Sequence, residues 1–136
     1  MVAVTVAMIG WGTKVSLDAK FYYSRAEARA FLLGLSDEQM RDYFRNEWMD
    51  LLFMTFYTGL LYAWASRAST SRVLRRAALV PGFFDAIETL TLLAVMKGRD
   101  APAWLGAVTC IKWSAAGAVL IALIVAALRK KSRTIA

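Results

Sequence analysis

Ala103–Leu128, AWLGAVTCIKWSAAGAVLIALIVAAL, decides the fold of this chain: it is an apolar run broken by one charge, Lys112. A bilayer's hydrocarbon is ~30 Å thick and takes ~20 helical residues to cross, and this run is long enough to do so. Its apolar side chains go round the whole helix and leave no face for water. Two runs of similar reach precede it, Trp48–Ser66 and Ala77–Met96. Hydrophobic residues make up 59% of the 136-residue chain, against ~45–50% in soluble domains. Too little polar sequence is left to cover three such helices in water. The expected fold is all-α, a transmembrane helical bundle with three full spans, built as one domain over residues 1–136 and multi-pass in the cell membrane.

The opening residues, MVAVTVAMIGWGT, are apolar but about a third short of a crossing, and Lys14 stops any extension. They lack the basic n-region of a signal peptide. Two readings stay open: a short, tilted or truncated first span, and a frayed N-terminal tail.

Between this stretch and Trp48 lie two helix-start signatures, Ser24-Arg-Ala-Glu27 and Ser36-Asp-Glu-Gln39. Each fits the capping box, in which N-cap and N3 side chains satisfy each other's free backbone N–H. Ala28, Phe31, Leu32 and Leu35 form one apolar face, as do Met40, Tyr43, Phe44 and Trp48. Gly34 is placed to end the first helix in a left-handed residue. Two amphipathic helices at the membrane interface are expected, apolar faces toward lipid or bundle, the second able to run on into the following span. A substrate-gating lid is the alternative.

The net charge of +7 does not point to nucleic acid, because the bases sit in short clusters beside the apolar runs and form no basic groove-reading helix. Arg67, Arg72, Arg75 and Arg76 follow the second run, and Arg129, Lys130, Lys131 and Arg133 follow the last. The positive-inside rule assigns both clusters, and the C-terminus, to the cytoplasm. Lys14, Lys20, Arg25, Arg29, Arg41, Arg45, Lys97 and Arg99 would lie opposite, at lower density. Histidine is absent and Cys110 is the lone cysteine, so no internal disulfide, no cysteine metal cluster and no cofactor are expected. The lipid bilayer is the expected partner, with a small molecule, a lipid or a protein also open.

Ionisable residues inside a span usually face the bundle interior and mark function. Asp85 and Glu88 lie three apart within PGFFDAIETLTLL and share a face, which Thr89 extends. Lys112 stands in the next span. Glu88 and Lys112 lie at the same depth, each ~14 Å from the turn that joins their helices. A Glu88–Lys112 ion pair is therefore expected, with Asp85 one turn deeper. Thr55, Thr58 and Tyr62 add a hydroxyl stripe in the second run, with Thr58 level with Glu88. Asp50 and Glu47 share a face at the outer boundary, with Tyr57 two turns below Asp50, either lining a path to the core or capping the span. The candidate polar cluster is Asp85, Glu88, Lys112, Thr58, Tyr62 and Asp50. Two carboxylates against one lysine leave a surplus acid, which can sit protonated or bind a cation or a proton. Small residues at four-residue spacing, Thr55, Gly59 and Ala63 and also Gly106, Cys110, Ser114 and Ala118, are expected to bring helices close. Pro81-Gly82 is placed to kink its span, and Pro102 to start the last helix.

The strings YYSRAEARAFLLGL, EWMDLLFMTFYTGLLYAW, FFDAIETLTLLAVM and CIKW resemble small, mostly bacterial, four-helix integral membrane proteins of unassigned function. Their shared pattern is D-L-L-F-x3-Y, F-D-x-x-E and K-W in successive spans. The resemblance covers most of the chain from Tyr22 onward and implies an architecture with a fuller first span, but no activity and no substrate.

Three functions are compatible with these residues. One is a membrane protein that handles a small molecule, ion or proton at the Asp/Glu/Lys cluster. The second is a structural or assembly subunit whose charges only order the bundle. The third, a lipid-modifying enzyme, is weakest, since the sequence offers neither a histidine nor an activated nucleophile.

Overall fold

The computed structural model describes Leu17, residues 20–68 and residues 71–135, with side chains through Arg129. The expectations for MVAVTVAMIGWGT and Lys14, and for the side chains of Lys130, Lys131 and Arg133, lie outside the described residues. Among those described, every element is a helix: α1 (Arg25–Leu33), α2 (Asp37–Ala68), α3 (Arg72–Ala77), α4 (Val80–Met96) and α5 (Leu105–Ile135).

Local chemistry sets the helix starts. Glu27 N–H donates to Ser24 Oγ at 3.2 Å and Ser24 N–H to Glu27 Oε2 at 2.7 Å. Gln39 N–H donates to Ser36 Oγ at 3.3 Å and Ser36 N–H to Gln39 Oε1 at 3.0 Å. Both capping boxes are thus complete. The Ser24 backbone N–H, then its hydroxyl and the Lys20 ammonium, hold the Glu27 carboxyl below the usual carboxylate range.

Gly34 does not end α1 in the left-handed region. It keeps φ −85° and its N–H bonds back to Ala30 and Phe31. Only Leu35 separates it from the next N-cap, so the chain passes from one helix to the other without a reversal that would need positive φ. Among the described residues the left-handed glycine is Gly98, φ +91°, in the turn after α4. The second amphipathic stretch runs on into the following apolar run, with Met40–Trp48 forming the first turns of α2, a 32-residue element.

Pro81 breaks helical continuity rather than kinking a span. A proline ring clashes with the carbonyl four residues back, here Ala77, which is where α3 ends. The chain turns at Ala78–Leu79 and resumes as α4 with Pro81 in its first turn. Among the described residues two stretches are long and apolar enough to cross a membrane, Arg72–Met96 and Leu105–Arg129. α2 is long enough but more polar.

α4 and α5 are antiparallel neighbours, and α2 packs on α4. Two apolar cores sit at opposite ends. One joins Leu17, Tyr23, Ala28, Leu92 and Leu105, with Phe31 and Met96 against them. The other joins Ala65, Ala78, Val119 and Leu123. The small residues of α2 do not bring helices together: Thr55, Gly59 and Ala63 are exposed, and nothing stands within 4 Å of a Cβ placed on Gly59. Ser114 and Ala118 are exposed as well. Close approach occurs where Gly82 meets the Thr58 side chain and, within the expected stripe of α5, where Gly106 meets the Tyr23 carbonyl of the segment before α1.

Candidate functional site: a buried Asp–Lys–Glu cluster

Between the two apolar cores the helices carry charge. Asp85 and Glu88 sit one turn apart on α4, and Lys112 reaches them from the facing turn of α5. Its Nζ lies 3.0 Å from Asp85 Oδ1 and 2.5 Å from Glu88 Oε2. All three are almost wholly buried, with exposures of 5%, 0% and 6% for Asp85, Glu88 and Lys112. The i, i+3 spacing of the acids is what lets one ammonium fork between them.

Hydroxyls complete the cluster. Tyr57 on α2 donates to Asp85 Oδ2 at 2.7 Å. Glu88 Oε1 accepts from the Tyr23 hydroxyl at 2.9 Å and from the Thr109 hydroxyl. Each carboxylate therefore has a tyrosine on one side and Lys112 on the other. Tyr23 belongs to the segment before α1, is fully buried, and rests its backbone on Gly106, so this segment closes the cluster at the α1 end. Lys112 Nζ also lies 5.5 Å from the Trp113 ring centroid.

Of the six residues singled out from sequence, the structure brings together Asp85, Glu88 and Lys112. Asp50 stands next to them, accepting from Thr89 Oγ1 at 3.3 Å. Thr58 lies beside Tyr57 in sequence and packs on Gly82, one turn of α4 from Asp85. Tyr62 is 42% exposed, away from the charges, and the Thr55 hydroxyl bonds back to the Leu51 carbonyl. Glu47 is buried on the Asp50 face of α2.

Sequence reading passed over Tyr23 and Thr109. Thr109 had a signal, since it lies three residues before Lys112 and shares its face. Tyr23 had none, because its partner is 65 residues away in another element.

No protein-family model, curated protein or solved structure matches the chain. Chemical possibilities therefore rest on the cluster itself. With all three groups ionised, the Asp85–Lys112–Glu88 trio is a net anion, and one added proton makes it neutral. Among the described residues no group of three or more His, Cys, Asp or Glu side chains is arranged to hold a metal.

Proposed function

We propose that the chain is an integral membrane protein that crosses the bilayer through α2, α3–α4 and α5, and that Asp85, Glu88 and Lys112 are a protonatable site at which a proton or a small cationic solute is handled. The observation that carries the reading is Lys112 forked between two buried carboxylates, one more acid than the lysine neutralises. Intramembrane charges are costly and are kept mainly where they face a functional interior.

Exposed apolar surface supports the membrane part. On α2, Trp48, Leu52, Phe56, Leu60 and Trp64 recur every fourth residue, all exposed, with the tryptophans about 24 Å apart at 1.5 Å per residue. Such a stripe suits lipid with aromatic anchors at both edges. α5 adds Ile121, Ile124, Val125 and Leu128, a surface too apolar for water. Arg67, Arg72, Arg75, Arg76 and Arg129 belong to the end that holds the Ala65–Leu123 core, which the positive-inside rule assigns to the cytoplasm. This reading puts the C-terminus inside and α1 outside, where α1 and the first turns of α2 lie at the interface. The likeness to small four-helix membrane proteins of unassigned function belongs to the same proposal.

The test is to reconstitute the protein in vesicles holding a pH-sensitive dye and to impose a proton gradient. The wild type should dissipate it faster than protein-free vesicles, and Glu88→Gln, which keeps the shape and removes the charge, should abolish the excess. Equal rates for wild type, variant and empty vesicles would leave the second reading, a structural subunit in contact with a protein partner. That reading draws on the many hydrogen bonds that hold the cluster in one arrangement.

A further inference from the structure

At the α1 end of the bundle a groove of about 350 Å³ runs between α2 and α4, lined by Trp48, Leu90, Leu93, Ala94, Lys97 and Arg99. Its chemistry is divided along its length. The walls are apolar, with Trp48 and Leu90 half-exposed, and the mouth carries two exposed bases.

These bases have no structural task that occupies them. The last carbonyls of α4 are taken by backbone N–H groups of the turn: Lys97 bonds Ala94, Gly98 bonds Val95 and Arg99 bonds Ala94. Neither side chain forms an ion pair among the described residues, and the neighbouring acid, Asp100, pairs with Arg25 at 3.6 Å. The Lys97 ammonium stands 5.8 Å from the Phe44 ring centroid, a weak exposed contact that leaves its charge to solvent.

We infer that this groove is a binding site for an anionic phospholipid, with the phosphodiester at Lys97 and Arg99 and an acyl chain along Leu90, Leu93 and Trp48. Charge complementarity selects the headgroup. The apolar wall continuing toward the middle of the bundle selects a lipid over a free phosphate. The inference rests on the reading that the chain lies in a bilayer, and not on the protonatable cluster.

The test is native mass spectrometry of the full chain released from bilayers of equal phosphatidylglycerol and phosphatidylcholine. Wild type should retain phosphatidylglycerol preferentially, and Lys97→Gln and Arg99→Gln should each lower the preference about fivefold, the usual effect of one base near an anionic headgroup. Arg72→Gln with Arg76→Gln, at the far end, should leave it unchanged. Leu90→Trp, which fills the groove, should lower retention of the lipid with both bases intact. A preference that survives loss of both bases overturns the site, as does displacement of the lipid by millimolar inorganic phosphate. A protein that retains lipids with no preference overturns the inference alone, whereas one that enters no bilayer overturns the membrane reading beneath it.

Discussion

The two halves of α5 meet their surroundings differently. From Leu105 to Lys112 the helix buries Leu105, Gly106, Val108, Thr109 and Lys112, whereas from Trp113 to Leu128 only Val119 and Leu123 are buried. In the first half three of the five buried residues have a specific polar or backbone counterpart: Gly106 the Tyr23 carbonyl, Thr109 the Glu88 carboxylate, Lys112 both acids. In the second half an apolar seam of two residues suffices, and the rest is exposed or, at Ala115, Ala116, Ala126 and Ala127, half-buried. On the proposed membrane reading, an apolar side chain gains little by turning inward, so helix contacts need only fit, while a buried charge needs its partner in any surroundings.

The strongest way to break this contrast is Lys112→Met. It strands two buried carboxylates, and by analogy with other broken buried pairs the change should cost about 3–5 kcal/mol, read as loss of folded protein in a mild-detergent unfolding titration. Adding Asp85→Leu and Glu88→Leu should recover much of it. If the triple variant is no more stable than Lys112→Met, the charges are not what destabilises the first half.

Leu123→Ala tests the second half. A cavity in the Ala65–Val119 seam should cost about 2 kcal/mol, at the low end for such truncations because on the proposed membrane reading no water is excluded there. A loss as large as that of Lys112→Met in the same titration would erase the difference between the halves. Ile121→Val, on the 66%-exposed face, should change stability by less than about 0.5 kcal/mol. A larger shift would mean that this face meets a protein surface rather than lipid.

The smallest effect belongs to α1, outside both halves. The folded state lowers the Glu27 carboxyl below its usual value of 4.5. Its capping contribution is therefore present above that pH and fades as pH falls through the depressed value. Amide exchange at Ser24 and Glu27 should quicken with acid relative to the base-rate expectation, and Glu27→Gln, which can still accept the Ser24 bond, should flatten that dependence.

Periodicity and depth were enough to put Glu88 opposite Lys112, because two antiparallel helices joined by a short turn leave few choices of level. The same reasoning placed Asp85 on the Glu88 face but could not say that the lysine would fork. Small-residue spacing was a poorer guide to contact: the Thr55-Gly59-Ala63 stripe reads as a packing face and lies exposed, while the close approaches fall at Gly106, one member of the other stripe, and at Gly82, which belongs to neither.

What the sequence by itself determined are properties that repeat along one helix or within one turn: the helix starts at Ser24 and Ser36, the apolar reach of Ala77–Met96 and Ala103–Leu128, and the shared face of Asp85 and Glu88. Each follows from bonds and spacings a few residues long. Only the tertiary structure decided which way α2 turns, and so that Tyr57 meets Asp85 while Tyr62 stays outside. It alone folded the segment before α1 back over the bundle and set Tyr23 on Glu88. Helix rotation and the path of a connecting segment are settled by summed contacts between distant residues, and no local pattern in either partner records them.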